Sequence, residues 1–304
     1  MNRLKQLIKK SREHHSLGAD AVSYFMYKCG YGDINLAGAN SRYKTFTKLE
    51  KEFSSQIGKT EFKEYRNDMR DTVWICWLQG FESAPELIGN CVSSMEYHLK
   101  DRKIIYITAD NFRSYCELPE YIIEKWQNGI IGNAHFADLL RLALLIQHGG
   151  LWIDATVYMT GDLPAYITEG DFFGYRDGFF NCDLINFGNW LIYSAPNNIL
   201  LNETYALLLS YWKKYDYAKH YFIFQMFFRM VTDRYPEEWD KVPYFSQMDL
   251  HIFSFEFLKT YNKTRFSQLC DLTPIHKLTL KVDFGEEEAN SYYSKFDTLY
   301  RDTE

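Results

Sequence analysis

The stretch NAHFADLLRLALLIQHGGLWIDATVYMT, residues 133–160, predicts a helix, a glycine turn and a buried strand. Apolar residues recur at helical spacing between Ala134 and Leu145, so one face of this helix is expected to meet a core. Gly149 and Gly150 then end the helix, because glycine readily takes the positive φ angle that commonly follows a helix C-terminus. The chain is expected to pass directly from this turn into a strand.

That strand is placed at 151–158, and it carries one carboxylate, Asp154, after its first apolar residues. A buried charge is costly unless a cation meets it. In open α/β sheets, ligands bind at the carboxyl ends of the strands. Asp138 and Arg141 are three residues apart on the preceding helix, so they share one of its faces. The block therefore predicts a ligand site that holds a metal or a polar cofactor.

Strands and helices alternate on both sides of this block. The pattern predicts strands at 72–80 and 103–111, and helices at 85–99, 118–126 and 133–148. Such a βαβαβ order indicates a mainly parallel sheet covered by helices. Beyond Pro164 we expect two more strands, at 171–178 and 184–196. Helices are expected from Asn197 or Asn198 to Tyr215 and from 221 to 231.

Residues 1–70 are interpreted as an N-terminal helical extension, and residues 71–304 as one α/β domain. A charged helix is expected at 43–65. The basic segment at 1–15 has its apolar residues on one side, which leaves two interpretations open. A solvated first helix is favoured, and peripheral contact with an acidic membrane surface is the alternative.

Composition limits the classes of protein that this chain can belong to. Hydrophobic residues make up 46% of the 304 residues, which supports a substantial core. Lys and Arg number 34 against 40 Asp and Glu, so the net charge of −6 argues against general nucleic-acid binding. The six cysteines show no CxxC spacing, so free thiols are favoured over a zinc ribbon or a redox pair. No run approaches the roughly 20 apolar residues of a membrane span, and a soluble cytoplasmic protein is expected.

Several catalytic motifs are absent from the sequence. There is no GxGxxG after the first predicted strand, no GxxxxGK[ST], no GxSxG and no HExxH. Dinucleotide-dependent oxidoreductases, P-loop enzymes, serine hydrolases of the elbow type and zincins therefore lose their main support.

The stretch HFADLLRLALLIQHGGLWIDATV resembles the core of the bacterial capsular polysaccharide synthesis proteins. That family is part of a broader group of sugar transferases with a DxD motif, which includes Golgi mannosyltransferases and large glucosylating toxins. The resemblance continues through WICWLQGFESAPELIGNCVSS, ITADNFRSYCELPEYIIEKW, LINFGNWLIYSAPNNIL and PIHKLTLK, and it covers about residues 70–282. It implies a GT-A-like (Rossmann-like) α/β fold and a glycosyltransferase.

The activity implied by the resemblance is transfer of a hexose, with retention of configuration, from a nucleotide sugar to an acceptor. The donor is expected to be a UDP-hexose, and the acceptor a glycan or a lipid-linked oligosaccharide. The cofactor is expected to be Mn²⁺ or Mg²⁺, which prefers oxygen ligands. The place of action is expected to be the cytoplasm, with peripheral contact at the inner face of the membrane as an option.

The resemblance also assigns catalytic residues. Asp154 matches the first acid of the DxD motif, which faces the ribose and the metal. Asp138 and Arg141 match the pair that contacts the donor sugar and its phosphates. A guanidinium offers two parallel donors to an oxyanion, and a carboxylate accepts sugar hydroxyls. The alternative for Asp138 and Arg141 is an ordinary ion pair on a helix surface.

The metal site departs from the family pattern, because Thr156 stands where the second acid of DxD is expected. A hydroxyl is a weaker, neutral ligand, so the predicted metal ligands are Asp154, Thr156 and His276. His276 matches the C-terminal HK segment, but a structural histidine is an equally good interpretation. Lys277 is expected to neutralise phosphate, or else to be a solvated charge.

Further donor-binding residues follow from the same resemblance. Trp77 matches a tryptophan that stacks on the nucleotide base, with core packing as its alternative. Asp110 and Asn111 follow the second predicted strand and are assigned to the base or the ribose. Gly149 and Gly150 belong to the matched motif and are assigned to donor binding as well.

The acceptor side is less well defined. Asp183, Asn186, Asn189 and Trp190 lie in the region that shapes it, with no role assigned to any of them. Asp177 and Asp183 are alternative catalytic carboxylates, although each is favoured as a loop acid. Two other functions remain open: a catalytically silent protein that binds nucleotide sugars or carbohydrates, and a toxin-like enzyme that glycosylates protein.

Overall fold

The computed structural model describes residues 17–30, 34–176, 184–280 and 285–301. The described strands are β1 (Thr72–Cys76), β2 (Lys103–Ile107), β3 (Gly150–Ile153), β4 (Val157–Met159), β5 (Phe172–Arg176), β6 (Phe187–Ser194) and β7 (Ile275–Lys277). Five of them form the main sheet, in the order β2-β1-β3-β6-β5. β1 is parallel to β2 and β3, whereas β6 is antiparallel to both β3 and β5. Four strands therefore run one way and one runs back, which confirms the predicted α/β class with a mainly parallel sheet.

The described helices include those predicted at 85–99, 118–126, 133–148, 197–215 and 221–231, together with others that the sequence did not predict. They are α1 (Leu17–Lys28), α2 (Ile34–Phe53), α3 (Glu86–His98), α4 (Glu120–Gln127), α5 (Asn133–His148), α6 (Ile199–Lys214), α7 (Ile223–Arg234), α8 (Pro236–Trp239), α9 (Lys263–Leu272) and α10 (Phe296–Leu299). α5 has the bounds that the sequence predicts, and it is buried on almost all sides from Leu139 to Gln147. Asn198 begins α6, because its Oδ1 accepts the backbone N–H groups of Leu200 and Leu201. None of the described helices is long and apolar enough to cross a membrane.

The prediction of a single strand at 151–158 is wrong in one respect, because the structure has two separate strands there. β3 ends at Ile153, and the backbone turns at once, with the N–H of Val157 donating to the carbonyl of Asp154 at 3.0 Å. β4 then pairs with β7 in a separate two-stranded sheet. An apolar run does not reveal that its two halves belong to different sheets. The turn projects Asp154 and Thr156 from the end of the main sheet.

The helix predicted at 43–65 is also shifted. α2 runs over Ile34–Phe53, and the chain beyond Gly58 (φ +77°) is not helical up to the first strand. Contacts distant in sequence hold this segment instead. The N–H of Tyr65 donates to Oδ1 of Asn197 at 2.8 Å, and Nδ2 of Asn197 donates back to the carbonyl of Tyr65 at 2.7 Å. Tertiary hydrogen bonds therefore override the local helical pattern. The first 16 residues, with the basic segment, lie outside the described residues.

The two glycines of the 133–160 block allow α5, β1 and β6 to meet closely. Gly149 has φ +71°, and a Cβ there would lie 2.8 Å from the carbonyl oxygen of Ser194. Gly150 has φ +105°, and its Cβ would lie 2.7 Å from the carbonyl oxygen of Thr72. Trp74, fully buried, donates its indole N–H to the carbonyl of Gly149 at 2.9 Å. The glycine pair is thus required by backbone packing at the start of β3.

Candidate active site

A cavity of about 610 Å³ opens at the carboxyl ends of β1 and β3. Because these two strands are parallel neighbours, the residues that follow them meet at one edge of the sheet. Trp77 follows β1 and Asp154 follows β3. The cavity brings together six residues predicted from the sequence: Trp77, Asp138, Arg141, Asp154, Thr156 and Lys277.

Asp154 is the centre of a charged network in this cavity. Its Oδ1 accepts from Nη2 of Arg141 and from the indole N–H of Trp152, each at 3.0 Å. Its Oδ2 lies 3.3 Å from the ammonium of Lys277. Burial acts to raise the pKa of this carboxyl, but the charges of Lys277 and Arg141 outweigh burial and lower it from 3.8. Asp154 is therefore an anion held by two cations.

Arg141 connects the two carboxylates. Its Nη1 donates to Oδ1 of Asp138 at 2.7 Å while its Nη2 reaches Asp154. The guanidinium lies 4.7 Å from the centre of the Trp152 ring, and the residue is only 4% exposed. This pairing is not the surface ion pair that the sequence left open, because both members line the cavity. The Nε atom of Arg141 is buried without a hydrogen-bond partner.

Asp138 receives a second contact from β6. Nδ2 of Asn189 donates to the same Oδ1 of Asp138 at 2.9 Å. Asn189 had no role in the sequence interpretation, and the structure places it in the cavity wall. Trp190, its neighbour, also lines the cavity and donates its indole N–H to Oε1 of Gln247 at 2.8 Å. The β6 side of the cavity therefore fixes the orientation of the Asp138 carboxylate.

Lys277 and Thr156 meet across the two-stranded sheet. Lys277 is opposite Val157 in the β4–β7 ladder, and the N–H of Leu278 donates to the carbonyl of Thr156 at 2.9 Å. The ammonium of Lys277 donates to Oγ1 of Thr156. Since successive side chains of a strand point to opposite faces, Lys277 faces the cavity and its neighbour His276 faces away.

The structure does not bring His276 to Asp154. His276 is 1% exposed, its Nε2 lies 2.9 Å from Oγ1 of Thr160, and its ring contacts Phe253. Burial lowers its pKa to about 3, so the ring is neutral. Within the described part of the chain, no three His, Cys, Asp or Glu side chains come together in a way that could hold a metal ion.

Four other predicted donor-binding residues lie outside the cavity wall. Gly149 and Gly150 are at the start of β3, whereas Asp154 follows its opposite end. Asp110 is exposed. Asn111 closes its own loop, with Oδ1 accepting the Thr108 N–H and Nδ2 donating to the Tyr106 carbonyl, both at 2.9 Å.

Three residues named for the acceptor side or as alternative catalytic acids remain: Asn186, Asp177 and Asp183. Asn186 does not line the cavity; its Nδ2 donates to Oγ1 of Thr232 at 2.8 Å. Asp177 and Asp183, the alternative catalytic carboxylates, lie outside the described residues.

Sequence reasoning missed Gln225, which enters the cavity wall from α7. Gln225 is 7% exposed, and its Oε1 has no hydrogen-bond partner. A buried carbonyl without a partner is costly, so this atom is suited to accept a hydrogen bond from a ligand. A signal was present, because Gln225 is the one polar residue in the run from Ile223 to Phe228.

Comparison with known families shows which family the chain belongs to. A family model described as capsular polysaccharide synthesis protein matches residues 33–296. The chain therefore belongs to the capsular polysaccharide synthesis family, which confirms the resemblance drawn from the 133–160 block. No curated protein matches the chain.

Two solved structures show a distant likeness. The PaToxG glycosyltransferase is 15% identical with a TM-score of 0.39, over 89% of this chain and 97% of its own. A transferase variant with two cysteine-to-serine substitutions is 14% identical with a TM-score of 0.34, over 71% of this chain and 99% of its own. Both likenesses are too weak to bear on function.

Proposed function

We propose that this protein is a glycosyltransferase that moves a hexose from a nucleoside diphosphate sugar, a UDP-hexose, to a glycan or lipid-linked oligosaccharide. The observation that carries the proposal is the convergence of Arg141 and Lys277 on Asp154, beside Trp77, in one cavity. Family membership supports the same substrate class, because synthesis of a polysaccharide requires sugar transfer.

Each part of the donor has a matching group in the cavity. Trp77 is partly exposed and offers an aromatic face to the nucleotide base. Arg141 and Lys277 supply N–H donors and positive charge to the diphosphate. Asp138, held by Asn189, accepts a sugar hydroxyl. The cavity is large enough for a ligand of this size, since ligand sites commonly span about 300–1,000 Å³.

The chemical step requires stabilisation of the leaving group. The bond between C1 of the sugar and the diphosphate oxygen breaks, and its electron pair stays on that oxygen. Arg141 and Lys277 stabilise the negative charge that develops there. The acceptor hydroxyl attacks C1 from the face that the diphosphate leaves, and its proton passes to the departing phosphate oxygen. This route retains configuration and needs no protein nucleophile. It agrees with the cavity, where Arg141 donates hydrogen bonds to both carboxylates, Asp138 and Asp154.

The implied Mn²⁺ or Mg²⁺ ion fits the described residues poorly. Such an ion is usually bound by one or two carboxylates together with substrate phosphates. Asp154 is the carboxylate in position, and both of its oxygens already face cationic side chains. Thr156, in place of a second acid, accepts from Lys277. The proposed step is accordingly assigned to Arg141 and Lys277 alone.

The test is a panel of UDP- and GDP-sugars incubated with the full chain, with release of nucleoside diphosphate as the measured signal. Release from at least one UDP-hexose, above the rate with heat-denatured protein, is expected. Adding oligosaccharide or lipid-linked acceptors should raise that rate. A folded protein that releases nothing from any donor, with or without acceptors, would contradict the proposal.

A second candidate is a silent protein that binds nucleotide sugars, and the replacement of the second DxD acid by Thr156 favours it. The same panel separates the two functions. Calorimetric binding of a UDP-hexose without release or transfer, even with acceptors present, would favour the silent protein.

A further inference from the structure

The position of Lys277 carries an inference that rests on the proposed function and extends it. Of the three metal ligands predicted from the sequence, Asp154 and Thr156 line the cavity and would be the residues to hold a divalent cation. The ammonium of Lys277 occupies the space between them, 3.3 Å from Oδ2 of Asp154 and donating to Oγ1 of Thr156.

We propose that the Lys277 ammonium takes the place of a divalent metal, so that the protein binds a nucleoside diphosphate and transfers its sugar without a metal ion. Lys277, together with Arg141, then carries the positive charge that the diphosphate requires.

The first support is that Lys277 is held in place by the fold. Its backbone belongs to β7, where it is opposite Val157, and its carbonyl accepts from Oγ of Ser254 at 2.6 Å. Its side chain is only 15% exposed. A cation fixed in this way needs little reorganisation when a diphosphate arrives, which is the condition for strong electrostatic stabilisation.

The second support is the charge balance of the cavity network. Arg141 and Lys277 contribute two positive charges, and Asp138 and Asp154 contribute two negative charges. A divalent ion bound by Asp154 and Thr156 would have to displace Lys277 from both partners, and it would still lie near Arg141, which also contacts Asp154. Like charges in a partly buried site repel strongly, so the ammonium and a metal compete for one position.

The third support is the limited supply of metal ligands. Asp154 is the one carboxylate among the three predicted ligands, and both of its oxygens already contact cationic side chains. His276, the predicted third ligand, faces away from Asp154 and is bound to Thr160. Thr156 is neutral, so it cannot supply the second negative charge that its acidic counterpart would provide.

The test measures the binding of UDP by calorimetry in excess EDTA and in excess Mn²⁺, with the full chain. For the wild-type protein, the Kd for UDP in EDTA should agree with that in Mn²⁺ to within about threefold, because the charge comes from the protein. Nucleotide release from the donor found by the panel should likewise persist in EDTA. UDP binding or release that vanishes in EDTA and returns with Mn²⁺ would overturn the inference.

Variants separate the ammonium from other causes. Lys277→Met should weaken UDP binding in EDTA by about tenfold or more, since a charge-assisted contact to phosphate is lost. Lys241→Met removes an exposed lysine that does not line the cavity and should leave the Kd unchanged. A folded Lys277→Met variant that binds UDP in EDTA as tightly as wild type would also overturn the inference.

Two further results keep this test distinct from that of the proposed function. If Lys277→Met does not fold, as judged by its thermal unfolding, the EDTA comparison on wild type still decides the question. If wild type binds neither UDP nor GDP in either buffer, the proposed function itself is contradicted, and the inference fails with it.

Discussion

The ammonium of Lys277 lies 3.3 Å from Oδ2 of Asp154 and joins two sheets that separate just after Asp154. Asp154 follows β3 of the main sheet, whereas Lys277 belongs to β7 of the two-stranded sheet. The turn at 154–156, which separates β3 from β4, thus creates the site as well as the second sheet. A continuous strand would have placed Thr156 within the main sheet.

Trp77 should contribute to donor affinity as well as to stability, because it packs against the core while part of its side chain stays exposed. Trp77→Ala removes the aromatic face offered to the base, and stacking of this kind is worth about 1–3 kcal/mol per base. We expect the Kd for UDP to rise about tenfold or more. Calorimetry and urea unfolding of the same variant provide the two measurements. An unchanged Kd would assign Trp77 to packing, the alternative that the sequence left open.

Gln225 lines the cavity with its carbonyl unpaired, and we expect that carbonyl to accept a hydrogen bond from the sugar of the donor. Gln225→Met keeps the shape of the side chain but removes the unpaired carbonyl. We expect KM for the sugar donor to rise about tenfold and the Kd for UDP to stay the same, because only the sugar loses a hydrogen bond. The free energy of unfolding should not fall, since a buried polar atom without a partner is removed. Equal effects on both ligands would contradict this role.

Gly150 is expected to be required for folding and not for donor contact. Gly150→Ala places a Cβ 2.7 Å from the carbonyl oxygen of Thr72 at φ +105°, and we expect it to lower the free energy of unfolding by at least about 2 kcal/mol. Gly89→Ala is the matched control, because Gly89 lies within α3 with nothing inside 4 Å of the added Cβ. It should raise stability by about 0.5–1 kcal/mol. Urea unfolding of both variants measures this, and equal stabilities would refute the packing argument.

His276 should make stability depend on pH. The folded chain keeps the ring neutral because burial lowers its pKa to about 3, whereas the unfolded chain takes up a proton near pH 6.5. Between these values the unfolded state binds more protons, so the free energy of unfolding falls as pH falls. The slope from this residue is about 1.4 kcal/mol per pH unit well below 6.5. His276→Gln should remove that slope, measured by urea unfolding at several pH values; a slope equal to that of wild type would contradict the assignment.

The sequence was sufficient for those site residues whose position depends on one element. Asp154 and Trp77 follow buried strands, and Asp138 and Arg141 share a helix face, so their meeting in one cavity follows from a parallel sheet. Which of the neighbours His276 and Lys277 faces the cavity could not be predicted in this way. It depends on which face of β7 turns toward Asp154, and pairing with β4 decides that.

Two further features depend on contacts between distant segments. The end of α2 at Phe53 reflects hydrogen bonds of the following chain to Asn197, which no local pattern contains. Gly149 and Gly150 signal a close approach of backbones, but the sequence does not say whether the approaching group is a ligand or, as in the structure, Ser194 and Thr72.

Asp154 orients both cations of the cavity, so the proposed site depends most directly on this residue. The decisive measurement is kcat/KM for nucleoside diphosphate release from the UDP-hexose that the panel identifies. Asp154→Ala should lower it by at least about a thousandfold, because Arg141 and Lys277 lose their common anchor. Asp101→Ala, which removes an exposed acid, should leave it unchanged. A folded Asp154→Ala variant with kcat/KM close to that of wild type would contradict the proposed site.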